Sequence, residues 1–149
     1  MTKRHPGPED SQAWRSFLKN QAEAIWSCDF FVQPTIGFRI LYIFVVMELS
    51  RRKVILFNAT DHPTLEWTKQ QIRNACFEKQ PKFLIHDNDR KFGQFGRPLQ
   101  VERDGKNISC RSAYDKWLWG EMGIQGMPIP YGAPNATAHI ERLIGTLRR

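Results

Sequence analysis

The run Ile25-Trp26-Ser27-Cys28-Asp29-Phe30-Phe31-Val32 decides the fold. Its aromatic and β-branched residues read as a strand bound for a core, yet it carries one carboxylate that would be costly to desolvate alone. Two further strand runs follow, over residues 38–47 and 53–59. The links Gln33-Pro34-Thr35-Ile36-Gly37 and Glu48-Leu49-Ser50-Arg51-Arg52 are short enough to join all three as an antiparallel meander. Such a sheet needs a helical cover. Thr60-Asp61-His62-Pro63-Thr64 carries helix-opening signals, with Pro63 tolerated in a first turn, and Leu65, Ile72, Ala75 and Cys76 then fall on one helical face. After that crossover the strand at 82–86 enters parallel to a neighbour. Residues 92–112, rich in glycine and charge, read as a long loop or a small hairpin. A helix over 113–122, an extended piece over 124–129 and a final helix from Asn135 complete the core, and Trp14 to Asn20 forms a short helix or turn before it. Residues 1–12 are expected to be a flexible lead-in. The sum is an α/β chain with a mixed sheet of about five strands, three antiparallel and then parallel, flanked by helices.

With 149 residues, 41% of them hydrophobic, the chain has enough apolar material for one domain with a real core and is no disordered tail. Its net charge of +7 and pI near 9.6 favour a polyanionic partner, nucleic acid first. The longest apolar run, Ile40 to Met47, is about half of what a bilayer span requires, and the polar, proline-rich N-terminus has no apolar signal segment. No membrane partner is expected, and the expected location is cytoplasmic. Cys28, Cys76 and Cys110 are odd in number and form no Cys-x-x-Cys pair, so they read as reduced structural thiols.

Three carboxylates stand out. Asp29 lies inside the first strand, Asp87 follows Phe83-Leu84-Ile85-His86, and Glu141 lies in Asn135-Ala136-Thr137-Ala138-His139-Ile140-Glu141-Arg142, where Asn135 is suited to cap a helix after Pro134. On that helix Ala136, Ile140, Leu143, Ile144 and Leu147 form an apolar stripe, while small residues flank Glu141. Other polar residues have plainer readings. His86 suits a strand-end hydrogen bond, His62 and His139 suit surface or capping roles, and Asp89 beside Arg90 suits an exposed loop pair. Arg51-Arg52-Lys53 reads as a solvated turn between strands, and Trp67, Trp117 and Trp119 as core or interface residues.

The segments Trp26 to Phe31, Leu84 to Phe92 and Ala133 to Arg149 together resemble the integrase catalytic core shared by retroviral integrases and many bacterial insertion-sequence transposases. The similarity spans about Trp14 to Arg149, and its last motif, Pro-Asn, small residues and then Glu-Arg on a helix, is its most specific part. The resemblance implies an RNase H-like domain over 13–149, cut short after the glutamate helix, with Asp29, Asp87 and Glu141 as catalytic and metal-binding triad. Asp87 takes the second place rather than Asp89, by counting from Phe92. Glu141 lies 54 positions after Asp87 (141 − 87), longer than in the best-known members, and the excess falls in 93–112. A surface-loop insertion of this kind costs little stability.

The implied cofactor is Mg²⁺ or Mn²⁺, two ions, since carboxylates are hard oxygen ligands suited to either. The implied partner is DNA, contacted through its backbone by Arg142, Arg148 and Arg149, with the working form a homo-oligomer. The expected function is metal-dependent cleavage and strand transfer of DNA in transposition. Two alternatives share the residues: an RNase H-like nuclease with the same ligands, and an inactive DNA-binding or multimerisation remnant, which the ending at Arg148-Arg149 soon after Glu141 favours.

Overall fold

The structure, a computed structural model, describes residues 8–86 and 94–128. Strand β1 (Ile25–Pro34) pairs antiparallel with β2 (Ile40–Glu48), which pairs antiparallel with β3 (Lys53–Thr60). Helix α2 (Leu65–Ala75) then crosses over, so that β4 (Phe83–His86) enters parallel to β1 on its other side, and β7 (Gln125–Pro128) adds parallel to β4. The sheet order is β3-β2-β1-β4-β7, the mixed five-stranded sheet expected from the sequence. Strand β2 begins at Ile40 instead of position 38, because Phe38 takes a left-handed conformation (φ 60°) in the tight connection from β1.

Each face of the sheet is covered differently. Side chains alternate along a strand, so Trp26, Cys28 and Phe30 share one face. There they pack with Phe44, Val46 and Leu84, and with Ile72 and Ala75 of α2, as the main core. Burying a side chain such as Phe44 or Ile72 contributes about 1.5–3 kcal/mol relative to leaving it in water. Ile25 and Ile85 point to the opposite face. They meet Phe17 and Leu18 of helix α1 (Pro8–Gln21), whose Phe17 ring stands edge-on to Phe83 at 5.2 Å. Helix α1 starts at Pro8, so residues 8–12, expected in the lead-in, are helical. Proline is well suited to a first helical turn.

Helix α2 shows why its sequence signals were readable. The Thr64 hydroxyl accepts from the Trp67 N–H at 3.1 Å as N-cap, Glu66 stands in the first turn and Arg73 in the last. Pro63 therefore precedes the cap instead of standing inside the helix. Ile72 and Ala75 enter the core, with Leu65 and Cys76 packed at its margin, as their spacing predicts.

Residues 94–112 resolve the choice between loop and hairpin. Strand β5 (Gln94–Arg103) pairs antiparallel with β6 (Lys106–Ser112) as a separate two-stranded sheet. Its turn is Asp104-Gly105 with both φ angles positive (52° and 76°), the conformation that matches the twist of a two-residue hairpin and that Asp-Gly adopts readily. The hairpin leads into helix α3 (Ala113–Trp117) and a π-helical turn, Leu118–Met122, which Gly123 ends in a left-handed conformation (φ 70°). Hydrogen bonds hold the hairpin to that turn: the Trp119 indole donates to the Val101 carbonyl at 3.1 Å, and the Arg103 guanidinium donates to the Gly120 carbonyl at 3.0 Å and the Trp119 carbonyl at 3.4 Å.

Candidate active site

Asp29 lies midway along β1, opposite Val45 of β2, and is partly buried. One of its carboxylate oxygens accepts from the Phe30 N–H at 2.8 Å. By strand alternation it shares the face of Ile25, away from the main core. The parallel register pairs Ile25 with Phe83, Trp26 with Leu84 and Ser27 with Ile85. Strand β4 thus ends, at His86, one strand spacing from the middle of β1, about 4.8 Å. Asp87 is the next residue in the sequence. It lies outside the described residues, as do Asp89, His139, Glu141, Arg142, Arg148 and Arg149. Among the described residues no group of three His, Cys, Asp or Glu side chains could hold a metal ion. What the structure gives of the expected triad is one carboxylate on a central strand and the strand end that leads to the second.

Behind this point, on the main-core face, is a polar arrangement that the sequence reading did not identify. His86 Nε2 and Asp115 Oδ1 are 2.6 Å apart, with side chains 1% and 7% exposed. With the ring proton at Nε2, the imidazole donates and the carboxylate oxygen accepts. Adjacent Tyr114 is fully buried, sets its ring edge-on to His86 at 5.2 Å, and shares a hydrogen bond with the Cys28 thiol at 3.7 Å. Burial pushes both groups up: the Cys28 thiol lies far above its ordinary range, and the Tyr114 hydroxyl well above its own, with the neighbouring Asp115 carboxylate adding to each. Both therefore stay protonated and can keep their shared hydrogen bond.

Space for the Asp115 carboxylate comes from Gly126 on β7. A Cβ there would collide with Asp115 Oδ1 and lie 3.1 Å from Asp115 Cγ and 3.2 Å from His86 Nε2. The sequence did hold a trace of Asp115: Ser112-x-x-Asp115 has capping-box spacing, and the Ser112 hydroxyl does accept from the Asp115 N–H at 3.0 Å. Its side chain, however, turns to a residue 29 positions earlier, which spacing cannot reveal. Helix α3 is anchored in turn by Trp117, which stacks on Tyr114 (6.2 Å, 15°) and lies under the Arg73 guanidinium of α2 at 5.1 Å.

The remaining candidates have structural settings. Arg51 and Arg52 occupy the exposed β2–β3 turn and Lys53 opens β3. His62 is exposed beside Asp61 at 3.6 Å. Trp67 packs at the edge of the main core, and Cys28, Cys76 and Cys110 are free thiols.

No family model and no curated protein sequence matches this chain. Solved structures do. A chain of the simian T-cell lymphotropic virus intasome in complex with the PP2A regulatory subunit B56 gamma superposes with a TM-score of 0.61 at 12% identity, over 85% of this chain and 38% of that one. The HTLV-2 integrase catalytic core domain in complex with magnesium, in its trimeric form, gives 0.57 at 12% identity, over 85% and 67%. The BIV integrase catalytic core domain gives 0.58 at 16% identity, over 84% and 66%. The chain therefore spans well under half of the intasome chain and about two-thirds of the isolated cores. The fold is that of an integrase catalytic core, RNase H-like, with a mixed five-stranded sheet and flanking helices.

Proposed function

We propose that this chain is a DNA transposase or integrase catalytic core of the insertion-sequence type, performing metal-dependent phosphodiester cleavage and strand transfer. The observation that carries the reading is the parallel register of β1 and β4, which ends β4 beside the middle of β1, so that Asp29 sits next to the strand whose following residue is Asp87. A carboxylate at a central strand of this fold, on the face away from the main core, is costly as a purely structural element and useful as a hard oxygen ligand.

In this reading Asp29, Asp87 and Glu141 hold Mg²⁺ or Mn²⁺, in keeping with a magnesium complex among the structural neighbours. When bound, the ions activate the attacking oxygen and stabilise the leaving oxygen of an in-line displacement at phosphorus. Arg142, Arg148 and Arg149 pair with backbone phosphates, and the +7 charge of the chain draws the DNA in. No covalent protein intermediate is needed. The cysteines are ill-suited to one, since burial raises all three thiols above their ordinary value.

The test is a divalent-ion titration with end-labelled DNA, using the wild type and Asp29→Asn, Asp87→Asn and Glu141→Gln. Mg²⁺- or Mn²⁺-dependent nicking is expected from the wild type, and none from the three variants at unchanged thermal midpoint. Full activity in any one variant removes that residue from the triad. Absence of metal-dependent cleavage by the folded wild type overturns the catalytic reading.

A further inference from the structure

We propose that Tyr114 and Asp115 are positioning residues that fix, from behind the sheet, the Asp29 carboxylate on β1 relative to the end of β4, the strand that Asp87 follows in the sequence. The inference rests on the proposed metal site. Its basis is a coincidence of neighbours: the residue before Asp29 is Cys28, and the residue before Asp87 is His86. Consecutive residues of a single helix grip both. Tyr114 takes Cys28 on β1 at 3.7 Å, and Asp115 takes His86 on β4 at 2.6 Å.

The geometry suits this task. Consecutive helical residues diverge by about 100°, so neighbouring side chains of α3 can reach two adjacent strands. Cys28 and His86 point from their strands toward the main core, and β1 presents its next side chain, Asp29, to the opposite face. Gripping Cys28 and His86 therefore fixes β1 just before Asp29 and fixes the end of β4, from the face opposite to that of the Asp29 side chain. Metal sites tolerate only about half an ångström of error in ligand placement, which makes a rigid rear support valuable.

Stability alone is a weak reason for the arrangement. A buried histidine–carboxylate pair is often no more stabilising than apolar residues of the same volume. Here it also demands a glycine at position 126 to make room. The rest of the region keeps α3 from moving: Trp117 is packed between Tyr114 and Arg73, and the β5–β6 hairpin is bonded to the turn that follows α3.

The experiment measures Mn²⁺ binding to the purified full chain by electron paramagnetic resonance of the free ion, with thermal midpoints recorded in parallel. Asp115→Asn should weaken Mn²⁺ binding about 10- to 100-fold, the usual effect of removing a partner that orients a metal site. Tyr114→Phe and Cys28→Ala should weaken it in the same direction. Cys28→Ser, which keeps a partner for the Tyr114 hydroxyl, should restore it. A merely structural role would lower the thermal midpoint and leave the affinity of the folded protein as in the wild type, and that result for Asp115→Asn and Tyr114→Phe overturns the proposal. If Asp115→Asn fails to fold, the contrast between Cys28→Ala and Cys28→Ser decides. Asp29→Asn and Asp87→Asn separate the two levels: if neither reduces Mn²⁺ binding, the metal site itself fails. If both do while the α3 and Cys28 variants bind as wild type, only the support from α3 fails.

Discussion

Gly126 and Asp115 occupy a shared space: the carboxylate of one fills the volume where the other would carry a side chain. The missing Cβ at this position lets strand β7 pair with β4 while the carboxylate keeps its contact with the histidine that β4 supplies.

Gly126→Ala should therefore destabilise the fold by about 1–3 kcal/mol, the usual cost of overpacking a close contact. Urea unfolding monitored by tryptophan fluorescence measures it. A midpoint equal to that of the wild type would mean that Asp115 can move aside freely, and that its contact with His86 is loose.

Trp119→Phe removes the indole N–H that Val101 accepts but keeps most of the ring. The loss should be about 1 kcal/mol, as for a typical hydrogen bond, and local. Hydrogen exchange should speed up in the β5 and β6 amides well before those of β1 and β2. Uniform acceleration across the sheet would show that the hairpin is not a separable layer.

Cys76 is partly buried, and burial raises its thiol from an ordinary value of 9.0 to about 11. Because the thiolate is the nucleophile, alkylation of Cys76 in the folded protein should keep accelerating between pH 9 and 11 instead of levelling near 9. The sign for stability follows. The folded chain keeps a proton that the unfolded chain releases above its ordinary value, so this contribution is complete below about pH 9 and is lost as pH rises toward 11. Peptide mapping after timed alkylation gives the rate, and a plateau near pH 9 would contradict the burial of this thiol.

Strands β1 and β2 were legible because each has a stretch buried on both faces that reads as a continuous apolar run, the meander because its links are short, and α2 because Thr64, Glu66 and Arg73 mark its ends. Asp29 was legible for a physical reason too, as a charge in an apolar run. The hairpin was only half legible. Its Asp104-Gly105 turn is a strong local signal, but the irregular pairing between Gln94 and Leu99, around Gly96 and Pro98, breaks the alternation that would mark β5 as a strand. The pairing of His86 with Asp115 was not legible at all. It depends on the crossover placing β4 under α3, and no local pattern encodes which buried histidine meets which buried acid.

The order of strands also has a kinetic consequence. Strands β1 and β2 meet across a five-residue connection, whereas Ile25 meets Phe83 only after 58 intervening steps of chain (83 − 25). Closing long loops delays contacts, so the meander should gain protection early in refolding and the β1–β4–β7 half later, an order that pulse-labelled hydrogen exchange reads directly. Asp29 belongs to the early half and β4 to the late one. In a refolding chain, the seam between them would close among the final events, leaving Asp29 exposed on a formed meander before β4 arrives beside it.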